Sequence, residues 1–518
     1  MKTNINTRKS IVLAVTALMV FSSTGCKKFL DTQRQGQYTT EDYPYPSGSG
    51  PYDVFLYAAY NDLRSYGVHA TGFFLATSVR SDDADKGSSA TDGGADASSM
   101  DLFPVLPNNG FSNGMWTAYY TFIAKCNTVL QNVETNNNIV ATDAQKIQAQ
   151  AEARFLRAYA YFNLVRFYGR VPLIDKVLTV DQYNVPQSTA AQIYAFIESD
   201  LQFAAANLPL SWDKKFVGRS SKGMANGLLA KVYLTQQKWG AAMGAANLVM
   251  TSGQYDLSTS YNNIFGESGE NSKESVFEVQ ATASASVPTD NGIEAIQWQG
   301  VRAPGDWNLG YGWNVPNTNL ENAYEANDPR RARTFLYRNT AATLASPNPY
   351  KTVYGETTGT TWENPAYNHK TYTNPAFRAL YNNRAGRWMN MRVLRYADVV
   401  LMYAEAANEV GGAGNITAAL AALNSVRARA RTGAATGTLP DVVTTDQSVL
   451  REAIRKERRI ELAMEHDRFF DLVRWGISGT VLPNAGRPNF LASRDNLLPI
   501  PQAQIDLSKG VLTQNPGY

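Results

Sequence analysis

The sequence predicts a mainly α protein, a TPR-like helical-repeat scaffold interrupted by long irregular loop insertions. Three observations carry this. Residues 151–168, AEARFLRAYAYFNLVRFY, place Ala153, Leu156, Ala160, Leu164 and Phe167 on one stripe of a helix. Two helix pairs, within 222–250 and 395–430, repeat small residues against Tyr and Leu. Such a pattern lets two helices cross closely, as tetratricopeptide repeats do. Between 251 and 390 the helical period disappears and Asn, Thr, Gly, Pro and aromatics take over.

The N-terminus reads as a targeting segment. Lys2, Arg8 and Lys9 precede an apolar run, Ile11 to Phe21, that is too short for a bilayer span. Ser22-Ser23-Thr24-Gly25-Cys26 then matches a bacterial lipobox, with Ser23 where Leu is usual. Residues 1–25 are expected to be a lipoprotein signal peptide, with Cys26 the lipid anchor and first mature residue. Residues 26–52 form a polar, Gly/Pro/Ser-rich tether. Residues 53–518 form one domain, with scaffold at 53–250 and 391–518 and a loop-rich aromatic insertion at 251–390. With Cys26 modified, Cys126 has no disulfide partner and reads as a small buried hydrophobe.

The first helix is expected from Asp53, a candidate cap, to about Tyr66. Residues 78–99 read as an Asp/Gly/Ser loop. Further helices are expected at 113–133 and 142–168, the second stopped by Gly169 and Pro172, and three more lie in 188–250. After the helix pair at 395–430 comes an Arg/Glu-rich helical stretch, 450–476. The chain closes on an extended tail packed on the core.

Composition excludes some functions. Hydrophobic residues make up 44% and charged residues 18%, an ordinary globular balance. Without the signal peptide, 45 basic residues face 45 acidic ones, which leaves no electrostatic footprint for nucleic acid. There is no Gly-x-Ser-x-Gly, His-Glu-x-x-His, Walker loop or Cys pair, and no catalytic residue or cofactor is expected. His69, His369 and His466 share no metal-ligand spacing. Asp82, Asp83, Asp85, Asp92 and Asp96 could supply oxygens to calcium but fail EF-hand spacing, so a solvated or ligand-contacting loop is expected instead. Trp116 and Trp475 lie in helical patterns and read as core. Trp298, Trp307, Trp313 and Trp362 lie in the irregular region, where a Trp or Tyr face could stack on the apolar face of a sugar ring.

In the 450–476 stretch, Leu450, Ala453, Ile454, Ile460 and Met464 share a helical face with Glu457 and Glu461, while Arg451, Arg455, Arg458 and Arg459 point elsewhere. Buried acids at i,i+4 repel unless cations intervene, and Glu-x-x-His spacing is missing. Glu457, Glu461 and Glu465 are therefore expected to be structural, clamped by arginines such as Arg458, Arg468, Arg427, Arg429 or Arg474.

These features together resemble the SusD/RagB family of Bacteroidetes surface lipoproteins, across essentially the whole chain. The resemblance rests on Cys26-Lys27-Lys28-Phe29-Leu30-Asp31, on 151–168 with Gly169 and Pro172, and on Asn327-Asp328-Pro329-Arg330. It rests also on Leu394-Arg395-Tyr396-Ala397-Asp398-Val399, on Glu457-Arg458-Arg459, Glu461-Leu462 and Arg468 to Gly476, and on Leu498-Pro499-Ile500-Pro501. His466 departs from the pattern, since the family commonly has Gly there. The resemblance implies a non-enzymatic protein of the outer membrane. It would capture an oligosaccharide, or in some members a peptide, for a SusC-like TonB-dependent transporter. No ligand motif is shared, so the candidate contacts come from position and chemistry: Tyr66, Arg80, Asp82 and Asp83 from the first loop, and Trp298, Trp307, Tyr311 and Trp313 from the insertion. Ring stacking is expected of the aromatics and hydroxyl binding of Arg and Asp. A surface glycoside hydrolase is the third and weakest reading.

Overall fold

The computed structural model describes residues 50–283, 286, 292–341 and 352–518. The signal peptide, Cys26 and most of the tether lie outside the described residues. Helix Asp53–Asp62 opens the scaffold, but Asp53 does not cap it. Its carboxylate is held by Arg219 at 2.9 Å instead. Helix Gly110–Thr135 is capped by the side chain of Asn109. Helix Asp143–Tyr168 begins in a Thr142/Gln145 capping box and ends at Gly169, whose φ of 73° few other residues adopt readily.

Helix Asp143–Tyr168 packs between Gly110–Thr135 and Ala190–Asn207. The pair Lys222–Thr235 and Trp239–Met250 follows, and Trp239–Met250 packs directly on Tyr396–Val410. The two small-residue pairs, distant in sequence, are thus neighbours in one helical stack, and the insertion is a chain excursion between them. Ala225, Ala230, Ala242, Ala246, Ala404 and Ala419 are fully buried in these contacts, as close helix crossings require. A Cβ on Gly227 would stand 2.6 Å from Leu394 Cδ2, so that helix could not approach its neighbouring strand with any larger residue.

The insertion is more regular than its sequence suggests. Ser275–Val279 pairs antiparallel with Met391–Arg395, closing the excursion at its base. Phe335–Tyr337 pairs with Ala366–Asn368, and Trp313–Pro316 reaches back to Ala84–Gly87. The Asp/Gly/Ser segment 78–99 is likewise a solvated loop only in part, around residues 90–95. It contains the end of π-helix Leu75–Val79, strand Ala84–Gly87 and the start of helix Gly94–Leu102. The tail returns to the core as expected, with Leu498 and Ile500 buried and the Leu498 amide donating to the Phe167 carbonyl at 2.7 Å, but it is not wholly extended, since Gln502–Leu507 is helical.

The 450–476 stretch is two helices, Gln447–Glu461 and Arg468–Arg474. Met464 and His466 in the turn between them have φ of 64° and 73°. The left-handed backbone at 466 explains why a glycine suits this position. Here the His466 ring packs edge-on against Phe73 at 5.4 Å, and its Nδ1 lies 2.9 Å from the Ser78 hydroxyl.

The acids of this stretch are clamped. Glu461 lies 2.5 Å from Arg429, 2.9 Å from Arg395 and 3.1 Å from Arg330. Glu457 takes Arg330 at 2.5 Å and Arg427 at 2.9 Å, while Glu465 takes Arg395 and Lys370, each at 2.6 Å. Burial pushes the Glu461 carboxyl up, but Arg429, Arg395, Arg330 and Lys370 overcome it and hold the group at about 2. Arg427 and Arg429 are among the anticipated partners; Arg458, Arg468 and Arg474 serve other acids. Arg458 is itself buried, against expectation, and binds Asp398 at 2.8 Å and Asp471 at 3.3 Å. The amphipathic reading misplaced it because an arginine on a buried face looks wrong until its carboxylates are in view.

Removing one member of a buried ion network leaves its partners uncompensated, at a cost of about 3 kcal/mol. Glu461→Gln is expected to lower unfolding free energy by about that amount in denaturant titration, with ligand affinity of the folded fraction unchanged. A second expectation concerns acid. His69 is buried, with Nδ1 2.6 Å from the Leu63 carbonyl and Nε2 2.5 Å from the Tyr159 hydroxyl. Burial holds its pKa down at about 4, against 6.5 for the free side chain. Below pH 6.5 the unfolded chain takes up a proton that the fold refuses, so stability is lost as pH falls through 6.5 and on toward 4. At pH 5 this group alone costs about 2 kcal/mol. Unfolding free energies measured at pH 7 and pH 5 check it.

Candidate ligand-binding site

Four of the eight expected contacts come together. The Trp298 ring centroid lies 4.9 Å from Tyr311, 5.6 Å from Trp313 and 5.9 Å from Tyr66. Tyr66 and Tyr311 are 42% and 43% exposed, and Trp298 is half-buried between them. Trp313 is buried beneath. It is the floor of the cluster rather than a presented face, with Lys86 Nζ 5.0 Å from its ring centre.

Local backbone geometry sets each ring. Tyr66 begins the short helix Tyr66–His69, whose Val68 and His69 are buried. A Cβ on Gly67 would lie 2.4 Å from Ala118 Cβ, so this helix sits tight on Gly110–Thr135 and turns Tyr66 outward. Trp298 lies on helix Glu294–Gln299, which packs on the Tyr66 helix. Tyr311 follows Gly310, where a Cβ would stand 2.0 Å from the Gln297 carbonyl oxygen. The Tyr311 amide donates to that same oxygen at 3.0 Å, fixing its ring beside Trp298.

A polar rim surrounds the rings. Glu294 Oε2 accepts from Trp298 Nε1 at 3.4 Å, and Arg387 Nε donates to Gln297 Oε1 at 2.7 Å. Arg387 Nη1 also reaches Glu294 at 3.4 Å, and Gln297 Nε2 reaches the Tyr311 hydroxyl at 3.4 Å. Burial first, with the Glu294 charge contributing, pushes the Tyr66 phenol up and keeps it a neutral donor. Sequence reasoning missed Glu294, Gln297 and Arg387. Only Glu294 carried a signal, lying one helical turn before Trp298. The site can stack flat apolar faces and hydrogen-bond hydroxyls around them.

Trp307 joins a different group, 4.8 Å from buried Trp362 and stacked at 5.8 Å on Tyr372. The polar contacts expected from the first loop are corrected. Arg80 is 1% exposed, lies flat on Phe469 at 4.3 Å and donates to the Asp495 carbonyl at 2.5 Å. Asp82 is gripped by both arms of Arg468 at 2.8 and 2.9 Å, and Asp83 by Arg459 at 2.7 Å. All three side chains are turned into the frame and offer no polar face to a ligand. The remaining acids of the segment are also engaged. Asp85 binds Arg487 at 2.8 Å, Asp92 binds Arg302 and the Ser88 hydroxyl, and Asp96 accepts from the Gly110 amide at 2.9 Å. Trp116 is buried as expected, whereas Trp475 is half-buried, with Arg474 4.8 Å from its ring centre and Nε1 donating to Glu405 at 2.7 Å.

Fold and site together define a TPR-like helical scaffold whose insertion builds an aromatic platform. Known proteins share the scaffold. A family model described as the SusD family matches residues 273–518, and one described as "Starch-binding associating with outer membrane" matches 75–234. SusD-like protein P2 of Formosa agariphila is 30% identical over 460 residues, covering 86% of this chain and 88% of that protein. Among solved structures, a laminarin-binding SusD-like protein is similar at 28% identity and a TM-score of 0.72, covering 90% of this chain and 99% of the other. Surface glycan-binding protein A of Bacteroides thetaiotaomicron in complex with laminarihexaose is similar at 25% identity and a TM-score of 0.75, covering 90% and 98%. The chain belongs to the SusD family.

Proposed function

We propose that this protein captures oligosaccharides at the cell surface and delivers them to a SusC-like TonB-dependent outer-membrane transporter, without performing chemistry on them. The observation that carries the reading is the platform of Tyr66, Trp298 and Tyr311 rimmed by Glu294, Gln297 and Arg387. Exposed rings beside charged and amide groups suit a sugar, whose CH face is apolar and whose edge is all hydroxyl. The similar proteins that carry laminarin and laminarihexaose in their descriptions make β-glucan oligosaccharides the first ligands to try. The lipobox supports anchoring through Cys26, and the family resemblance supports a position facing the exterior.

Calorimetry against laminarihexaose, a wider glycan panel and a peptide panel tests the ligand class. Trp298→Ala and Tyr311→Ala are each expected to weaken glycan binding at least tenfold, about 1.4 kcal/mol. Unchanged affinity in both variants refutes the platform, and binding of peptides alone transfers the site to peptide capture. Cys26→Ala is expected to abolish lipid labelling and release the protein from the outer-membrane fraction.

A further inference from the structure

Among the described residues, buried arginines are nearly all paired with carboxylates. Arg330, Arg395 and Arg458 each contact two or more carboxylates. Arg333 is different. It is 4% exposed, and Nη1 donates to the His369 carbonyl at 2.7 Å, while Nε and Nη2 have no hydrogen-bond partner. Among the described residues no carboxylate lies within ion-pair distance of it. The Glu267 carboxylate, whose charge it feels, lies beyond ion-pair distance, and its Oε1 accepts from the Asn374 amide at 3.3 Å and Trp388 Nε1 at 3.2 Å. Arg80 also lacks a carboxylate, but it is covered by two phenylalanine rings and by carbonyls. Arg333 lines a cleft of about 300 Å³, together with Asn262, Asn263, Tyr337, Thr352 and Tyr354.

We propose that this cleft binds an oxyanion, the carboxylate or sulfate group of an acidic saccharide. A buried guanidinium without a counter-charge is costly, and an entering oxyanion supplies the missing acceptors in the planar geometry that arginine favours. Burial pushes the Arg333 pKa down, whereas carboxylates around Arg330 and Arg395 more than reverse the same effect. The space beside it is narrow. A Cβ on Gly266 would stand 3.3 Å from the Tyr354 hydroxyl, 3.9 Å from Ser268 Oγ and 4.0 Å from Arg333 Nη2, in the gap those groups share. Tyr354 is 51% exposed and sits at φ 48° in the tight turn between Thr352–Val353 and Glu356–Thr357. Holding tyrosine in the left-handed region costs free energy, and this turn spends it to place a ring at the cleft. Its ring is parallel to Tyr372 at 6.0 Å, which in turn stacks on Trp307, so an aromatic stack leads from the cleft toward the half-buried Trp307.

The saccharide part rests on the glycan reading above; the anion part does not. Inorganic sulfate, D-glucuronate and D-glucose are titrated by calorimetry into the wild-type protein, Arg333→Gln and Gly266→Ala, with Trp298→Ala as a control. Sulfate or glucuronate is expected to bind where glucose does not, with at least a tenfold loss in Arg333→Gln and Gly266→Ala and none in Trp298→Ala. The tighter anion then says whether the saccharide carries sulfate esters or uronates. Failure of both anions to bind, or binding unaffected by both variants, overturns the proposal. If Arg333→Gln does not fold by circular dichroism, Gly266→Ala decides, because it fills the gap without removing the charge. Loss of laminarihexaose binding in Trp298→Ala is a separate result, so the two readings fail independently.

Discussion

The carboxylate of Glu461, buried among Arg429, Arg395 and Arg330, is the point on which the frame depends. Each arginine comes from a different part of the chain. Arg429 ends the second repeat pair, Arg395 ends the strand that closes the insertion, and Arg330 begins a short helix inside it. Desolvating four charged groups is unfavourable unless all are paired, so the network forms as a unit or not at all. That requirement ties the excursion 251–390 to the last helices. Arg458, through Asp398 and Asp471, extends it to helix Tyr396–Val410, where Lys231 Nζ meets Asp398 at 2.7 Å.

The same logic governs the first loop. Asp82 and Asp83 reach Arg468 and Arg459, so the segment leading into Ala84–Gly87 is locked to the C-terminal helices. Strand Ala84–Gly87 pairs with Trp313–Pro316 and thereby sets the floor of the aromatic platform. Charge therefore builds the frame, and rings face outward from it. The segregation is sensible physically: an acid committed to a buried arginine is unavailable to a ligand, while an exposed tyrosine ring gives contact area with little entropy lost on binding.

Much of the fold was legible in the sequence because helices announce themselves locally. The stripe along 151–168, the Gly169 stop and the alanine-rich crossings each depend on residues within a turn or two of one another. The aromatics of the candidate site stood out as a dense set of Trp and Tyr in the irregular region, but not which of them are exposed: Tyr311 is, while Trp313 and Trp362 are buried. What failed was the polar half. Arg80, Asp82 and Asp83 look like ligand contacts in an Asp-rich segment, and only the positions of Arg459, Arg468 and Asp495, more than 370 residues away, show otherwise.

The sequence by itself determined the helical scaffold, its stop at Gly169, the acids of 450–476 as clamped groups, and the family to which these motifs belong. Tertiary structure decided which arginine meets which acid, which rings meet at Trp298 and which at Trp307, and that Arg333 meets no acid among the described residues. Period, capping and small-residue packing are encoded between near neighbours. Ion pairing and ring clustering between distant segments depend on how the insertion returns to the stack, and on close approaches such as Gly310 to Gln297 that no local pattern records.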